Sequence, residues 1–429
     1  MTGTTTPTRP ALDGGENRRP DPGIAVADEN APGGRPGPPA TRPAATPSPE
    51  ATTPQDTATP PAPATPAETA TPPASTPSPE ATTPQDTATP PAPATPAETV
   101  TPPASTAFAA DIGGTWVRMR AGGAAEPVER MPSPSRLRHP DRSVPQLRAD
   151  LVGLLCDRVP AGARAALSFG AAIDHLTGTV YGSAPLWGDE STPYDVAADL
   201  RARRPDVTWH LVNDVTAALL DFAAAHAGPG VRRVAYLTVS SGIALRTADL
   251  EQRRIPVDDL GLQGEVGHLP APLTDPGADI LADLPCECGA RGHLASVASG
   301  PGLVRVARRL GLPRPRQVAD WLPGALAADD PGARRLLELC AAPVAHLLRT
   351  LWCLDPHLDL IGVGGGVAEG LAGAYAAEIR RRLATPTSYA DRGRDEAWLD
   401  ERLVFCAPGQ VDALRGAQRV TDWIPGITR

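Results

Sequence analysis

The stretch AADIGGTWVRMRAGG, residues 109–123, decides the fold. An apolar run ends at Asp111, and Gly113, Gly114 and Thr115 follow at once. Glycines let a backbone approach phosphate oxygens closely, and the hydroxyl of Thr115 adds a donor. Asp111 is placed to hold Mg²⁺ through water, because hard cations prefer oxygen ligands. Taken alone, the stretch is equally compatible with an ordinary β-turn and an Asx-type cap.

Two further segments repeat this use of small residues at a turn. In RRVAYLTVSSGIALRTADL, residues 232–250, the turn has these small and hydroxyl residues: Thr238, Ser240, Ser241 and Gly242. Two such loops suit the two ends of a polyphosphate. A third turn, Gly364, Gly365 and Gly366, lies between an apolar strand and a helix and suits a nucleoside and its phosphate. In isolation, a tight strand–helix connection is the simpler interpretation of that third turn.

An acidic residue falls where TWHLVNDVTAALLDFAAAH passes from strand to helix, at Asn213 and Asp214. Either residue can serve as a helix N-cap. Asp214 can also act as a general base, since a carboxylate beside a sugar hydroxyl can take its proton as the phosphoryl group arrives. Arg118 and Arg246 are interpreted either as solvated surface charge or as cations that offset phosphate charge.

Strand and helix patterns alternate along residues 107–429 and predict an α/β fold. Helical spacing covers residues 146–159 and 333–354, and residues 163–173 have the composition of a buried strand. The paired loops suggest two related lobes around a cleft. We expect an N-terminal lobe at residues 107–225 and a C-terminal lobe, with the cysteine-rich loop, at residues 226–429.

Residues 1–106 are low-complexity Pro/Thr/Ala sequence. A 30-residue segment that starts at Thr46 recurs from Thr76 with one change, Ala70 to Val100. Such a segment buries too little apolar surface to offset chain entropy, so we predict a disordered tail. The alternative of a docking segment for a partner has no supporting motif.

Composition limits the classes of function. The net charge is −9 and no Lys is present, which argues against a general nucleic-acid binder. The scattered cysteines do not indicate a disulfide framework, and they fit a reducing cytoplasm. The sequence shows neither a secretory signal nor an apolar run of about 20 residues, so we expect no membrane association and a cytoplasmic protein.

The segments GLQGEVGHLP and CECGARGHLASVASG carry a candidate metal site. Two imidazoles and two thiolates form the candidate ligand set, which consists of His268, Cys286, Cys288 and His293. Zinc takes four such ligands in a tetrahedron, and a full set is typical of a structural ion. The alternative is two buried cysteines and two surface histidines. A structural zinc here would fix the loop that carries Glu265 and couple metal to substrate binding.

Together these motifs resemble the ROK family of sugar kinases and regulators, over about residues 107–429. The resemblance is carried by ADIGGTWVR, VND, GLQGEVGH, CECGARGH and LIGVGGGV. It implies an actin-like, hexokinase-type (RNase H-like) two-lobe ATPase fold that uses ATP and Mg²⁺ to phosphorylate a sugar-like alcohol. By this resemblance Asp214 is the catalytic base, and Asn213, Glu265 and His268 contact substrate hydroxyls, with His268 also on zinc.

Three positions depart from the family pattern. His293 stands where the family zinc motif usually has Cys, and imidazole also binds zinc well. Ala295 replaces a Glu that glucose kinases of the family use near the anomeric carbon, a loss of about 1.5–3 kcal/mol. Pro185, in SAPLWG, stands where family members commonly carry Asn.

These departures favour a substrate without an anomeric centre. ROK-type kinases of C7 cyclitols occur in antibiotic pathways, so we expect a kinase for the primary hydroxyl of a valienone- or validone-type cyclitol. The alternatives are a glucokinase or other hexose or amino-sugar kinase, and a ROK transcriptional regulator. The regulator requires a helix-turn-helix that residues 1–106 do not show. Homodimers are common in the resembling family, and we leave a homodimer open here.

Overall fold

The computed structural model describes residues 107–123 and 125–423. The disordered tail predicted for residues 1–106 lies outside the described residues. The strands are β1 Ala107–Ile112, β2 Trp116–Ala121, β3 Glu129–Pro132, β4 Arg164–Phe169, β5 Ala172–Asp174, β6 Thr179–Gly182, β7 Tyr194–Asp195, β8 Thr208–Asn213, β9 Arg233–Val239, β10 Ile243–Asp249, β11 Leu360–Gly364 and β12 Leu403–Phe405. The helices are α1 Val144–Arg158, α2 Ala184–Trp187, α3 Val196–Arg203, α4 Asp214–His226, α5 Leu294–Ala298, α6 Gly300–Arg309, α7 Val318–Ala327, α8 Pro331–Leu354, α9 Gly366–Ala384, α10 Glu396–Arg402 and α11 Ala413–Trp423. Short 3₁₀ helices cover Val266–His268, Ala278–Leu281, Pro315–Gln317 and Tyr389–Asp391.

The first sheet has the order β3-β2-β1-β4-β8, with β1 antiparallel to β2 and parallel to β4. Alternate residues of β1 point to opposite faces. Phe108 and Ile112 belong to a core shared with α1 and α3, whereas Ala109 belongs to a second core shared with α4 and α11. By the same alternation Asp111 lies on the face of Ala109, so the strand delivers this carboxylate towards α4 and α11.

The second sheet repeats the arrangement in the order β10-β9-β11-β12, where β9 and β10 are antiparallel and β9, β11 and β12 are parallel. Each sheet is therefore built from a hairpin followed by parallel strands. Parallel strands require crossover connections, and the intervening helices provide them. A third, smaller antiparallel sheet, β5-β6-β7, extends from the end of β4. The predicted α/β class and both predicted hairpins are confirmed.

Helices α4 and α11 pack against each other, with α4 in contact with strands of both sheets and α11 on the first sheet. Their buried residues Leu220, Phe222 and Leu414 share one core with Ala166 of β4 and Tyr236 of β9. Burial of each large apolar side chain contributes about 1.5–3 kcal/mol. The final helix of the described chain thus returns to the sheet that the first strand began. The lobe limits at residues 225 and 226 stay a prediction.

One described helix, α8, is long and apolar enough to cross a membrane by length and composition alone, and 61% of its most apolar window is buried. Its residues Leu336, Val344 and Leu348 are each 0% exposed and belong to the core of the second sheet. The apolar character of α8 is therefore explained by packing within the protein.

Candidate active site

The first glycine turn joins β1 to β2. The amide of Gly113 donates to the carbonyl of Trp116 at 3.0 Å and closes the hairpin, so that amide is not free for a phosphate. A Cβ on Gly114 would lie 2.6 Å from Cβ of Pro185, so only glycine fits there. Thr115 is exposed at the tip of the turn. The turn thus presents Thr115 to solvent and rests on the start of α2.

Asp111, at the end of β1, is held by two neighbours. Arg118 donates to its Oδ2 from Nη2 at 2.7 Å and from Nε at 3.1 Å, and Ser168 donates to its Oδ1 at 2.9 Å. Arg118 also contacts Asp412, just before α11, at 2.5 Å. Both oxygens of Asp111 therefore already accept hydrogen bonds. This arrangement fits the expected contact of Asp111 with Mg²⁺ through water better than direct coordination.

Asp214 is the first residue of α4 and lies near the residues that follow β1 and β4. Its Oδ2 lies 3.5 Å from the position that a Cβ on Gly170 would take, and the carbonyl of Ile112 lies 3.6 Å from that position. Burial first, and the negative charge of Asp111 second, raise the pKa of Asp214 to about 7. A carboxyl group with this pKa can exchange a proton near neutral pH, as a general base must.

Asn213 is the N-cap of α4. Its Oδ1 accepts from the amides of Val215 at 2.9 Å and Thr216 at 3.3 Å, and its Nδ2 donates to the carbonyl of Ala171 at 2.9 Å. The capping role considered from the sequence is what the geometry shows for Asn213. A contact with substrate stays a prediction.

Three turns of the second half meet at one place. A Cβ on Gly366 would lie 3.4 Å from Oγ of Ser240, and the amide of Gly300 donates to the carbonyl of Ser240 at 2.8 Å. Gly365 has φ +92°, and a Cβ there would lie 2.6 Å from Oγ1 of Thr238. The second hairpin turn, with exposed Ser241 and Gly242, therefore adjoins the N-termini of both α6 and α9. Helix N-termini favour anions, so this convergence suits a nucleotide phosphate.

The Gly364–Gly366 turn is stabilised from within its own helix. The amide of Gly365 donates to Oε1 of Glu369 at 2.9 Å. A Cβ on Gly364 would lie 2.2 Å from the hydroxyl of Tyr236, so the turn is packed directly on β9. The amide of Gly365 is thus engaged, and the following amides at the start of α9 are those placed for a ligand.

Glu265 precedes the 3₁₀ turn that ends at His268. Its Oε1 accepts from Nη2 of Arg246 at 3.2 Å, and its side chain is 33% exposed. The guanidinium of Arg246 is buried, so the interpretation of this residue as surface charge is wrong. The positive charge of Arg246 opposes the rise in the pKa of Asp214 but does not overcome the larger effect of burial.

The four candidate metal ligands are brought together. Their ligand atoms all lie within 4.8 Å of one another. Cys286 Sγ lies 3.6 Å from His268 Nδ1, and Cys288 Sγ lies 3.4 Å from His293 Nδ1. Zinc with Zn–S of about 2.3 Å and Zn–N of about 2.0–2.1 Å places tetrahedral S and N ligands about 3.6 Å apart. The donor set and its spacing fit such an ion.

Several contributors to the cleft were not predicted. Ser168 and Asp412 approach from distant parts of the chain, with no local signal. Gly300 could have been found, because the sequence SGPG places a Ser N-cap and a Pro at the start of a helix. Ala295, where glucose kinases of the family carry Glu, is buried in α5 at 5% exposure.

Each of the two sheets carries a hairpin whose turn is rich in glycine or hydroxyl residues, as expected for a two-lobe phosphotransferase. The sequence model of the ROK family matches residues 108–417, and the chain therefore belongs to the ROK family. The fold is similar to that of a ROK hexokinase from Thermus thermophilus, with a TM-score of 0.54 and 23% identity over 74% of this chain and 99% of that one. The predicted hexokinase-type fold is thereby confirmed.

Two relatives of known name are similar in sequence. The chain is 45% identical to a 2-epi-5-epi-valiolone 7-kinase of Actinoplanes sp. over 326 residues, which are 72% of this chain and 90% of the relative. It is 35% identical to a C(7)-cyclitol 7-kinase of Streptomyces hygroscopicus subsp. jinggangensis over 214 residues, 46% of this chain. The second match spans 56% of that relative's length.

Proposed function

We propose that the protein is an ATP-dependent kinase that phosphorylates the primary hydroxyl of a C7 cyclitol of the valiolone, valienone or validone type. The observation that carries this proposal is the position of Asp214, whose buried carboxyl group with a raised pKa lies beside Gly170 and the end of β1. The 45% identity to a 2-epi-5-epi-valiolone 7-kinase supports the acceptor class. A role in antibiotic biosynthesis follows from that class of substrate.

In this mechanism the ionised carboxylate of Asp214 accepts the proton of the acceptor hydroxyl. The hydroxyl oxygen forms a bond to the γ-phosphorus of ATP, and the bond from that phosphorus to the β–γ bridging oxygen breaks to release ADP. The turns at Thr115 and at Ser240, Ser241 and Gly242 hold the phosphates from opposite sides. Glu265 accepts hydrogen bonds from other acceptor hydroxyls.

Two metal ions belong to the proposal. Mg²⁺ offsets phosphate charge when bound, and Asp111 is the carboxylate that would hold it through water. Structural zinc would be held by His268, Cys286, Cys288 and His293 and would fix the 3₁₀ turn that follows Glu265. His268 would then be engaged in ligation through Nδ1, so its contact with substrate must use Nε2.

The remaining assignments are proposals of the same kind. We infer lobes at residues 107–225 and 226–429 and a cytoplasmic location, and we leave a homodimer open. Helix α11 packs on β1, β4 and β8 of the first sheet, so a boundary drawn along the chain assigns it to the C-terminal lobe by sequence rather than by packing.

A panel of acceptors tests the function. Purified protein is incubated with ATP, Mg²⁺ and either 2-epi-5-epi-valiolone, valienone, validone, glucose, mannose or N-acetylglucosamine, and ADP release is measured. We expect the highest kcat/KM with a C7 cyclitol, because Ala295 and Pro185 withhold polar contacts from an anomeric centre. If glucose or an amino sugar exceeds every cyclitol, the hexose or amino-sugar kinase alternative replaces the proposal. If no acceptor is phosphorylated, a regulatory role becomes the better explanation.

A further inference from the structure

Arg246 lies in the middle of β10, with a side chain that is only 1% exposed. Arginine is seldom buried unless its charge is paired. Its Nη1 donates to the carbonyls of Leu245, at 2.9 Å, and of Gln263, and its Nη2 donates to Glu265 at 3.2 Å. The guanidinium therefore bridges β10 and the loop that carries Glu265.

The backbone of the loop that carries Glu265 packs directly on the backbone of β10. Gly264 has φ +74°, and a Cβ there would lie 1.9 Å from the carbonyl oxygen of Leu245 and 2.9 Å from Nη1 of Arg246. The amide of Leu245 donates to the carbonyl of Gly264 at 2.7 Å. The backbone thus sets Glu265 beside the guanidinium, and Nη2 of Arg246 holds its Oε1.

The charge of the guanidinium also acts on two titratable groups. It adds to burial in lowering the pKa of His175, to about 4, and it opposes the rise in the pKa of Asp214. Oε1 of Glu265 is used by Arg246, and Oε2 has no hydrogen bond to another described residue, so Oε2 is the oxygen left for the acceptor.

We propose that Arg246 is a positioning residue for acceptor specificity, which fixes the Glu265 carboxylate so that Oε2 meets the hydroxyls of the cyclitol. This inference rests on the proposed kinase function. A purely structural role explains the residue less well. Nε of Arg246 is buried and has no hydrogen-bond partner in the described part of the chain. An incompletely satisfied buried ion pair contributes little net stability.

The test compares Arg246→Met, Arg246→Lys, Glu265→Gln and the double variant Arg246→Met/Glu265→Gln. Arg233→Met is the matched control, because Arg233 pairs with Asp355 at 3.0 Å at the start of β9, away from the cleft. For each protein, KM for the cyclitol, KM for ATP, kcat and the thermal midpoint are measured. We expect Arg246→Met to raise the cyclitol KM by about 10-fold or more, as one lost hydrogen bond to a charged group would.

The ATP KM should stay within about twofold of wild type, and the double variant should be no worse than Glu265→Gln, because Arg246 acts through Glu265. Arg246→Lys keeps the charge without the planar fork and should give an intermediate KM even where Arg246→Met folds poorly. Equal losses in all kinetic constants, or multiplicative effects in the double variant, would overturn the assignment while leaving the kinase proposal standing. Failure of the wild type to phosphorylate any acceptor would overturn both.

Discussion

Replacement of Asp214 by Asn tests two properties of this carboxyl group. One is the effect of its raised pKa on protein stability, and the other is its proposed role as the catalytic base. Burial raises its pKa from 3.8 to about 7, and Asp111 contributes to the rise. A raised pKa means that the folded state binds the proton more tightly than the unfolded state. This contribution to stability is fully present below pH 3.8 and is lost as the pH rises through about 7. Asn carries no charge, so the stability of the variant does not fall with pH at this position.

The rise in the pKa of Asp214 from 3.8 to about 7 corresponds to a loss of about 4 kcal/mol in the free energy of unfolding between low and high pH. About half of this loss occurs below pH 5.5 in wild type, so the rest falls between pH 5.5 and 8.5. The stability of Asp214→Asn relative to wild type should therefore increase by about 2 kcal/mol over that interval. Turnover should fall by about 10²-fold or more, because the amide cannot take the proton of the acceptor.

Urea unfolding of both proteins at pH 5.5 and 8.5 gives the stability difference, and ADP release gives turnover. Asp157→Asn, on the exposed end of α1, is the control and should show neither effect. The wild-type kcat/KM should rise with pH through about 7 as Asp214 ionises. A stability difference that does not change with pH would refute the raised pKa. Full turnover in Asp214→Asn would refute its assignment as the base.

Three other expectations concern the metal site, the nucleotide turn and α11. Cys286→Ser should abolish zinc detected by atomic emission and raise the acceptor KM; wild-type protein without zinc would contradict the ligand set. Gly365→Ala should raise the ATP KM and cost about 1–3 kcal/mol in urea unfolding, because its φ of +92° and the contact with Thr238 exclude a side chain. Gly370→Ala, in α9 with nothing within 4 Å of the added Cβ, should be neutral or stabilising by about 0.5–1 kcal/mol. Asp221→Asn removes the carboxylate that accepts a hydrogen bond from Nη2 of Arg415 at 2.8 Å, and it should cost about 2 kcal/mol in the same unfolding assay. An unchanged urea midpoint would show that α11 is held by apolar packing alone.

Local chemistry made much of the fold predictable. Glycines between period-2 apolar runs indicated both hairpins, and the polar pair at residues 213 and 214 marked the start of α4. The spacing of Cys286 and Cys288 predicts a metal site from the sequence alone, and the four candidate ligand atoms lie close together in the structure. In each case the decisive residues lie within a few positions of one another.

Features that depend on distant contacts were not predictable. Nothing in the sequence around Asp412 indicates that it contacts Arg118, which lies 294 residues earlier in the chain. The sequence leaves Arg246 as either a solvated cation or a cation that offsets phosphate charge, and its burial depends on the distant Gly264 loop that packs against it. The sequence shows that Pro185 replaces an Asn that family members commonly carry. Its contact with Gly114 is visible only in the folded protein.

The return of α11 to the first sheet bears on how the molecule is made. Residues Leu414, Ala417 and Val420 are 0–1% exposed and complete the core that begins at Ala109. A ribosome synthesises these residues long after β1, so a nascent N-terminal half exposes an apolar face until α11 has emerged. We expect expression to depend on chaperones and to be sensitive to truncation of the chain before α11.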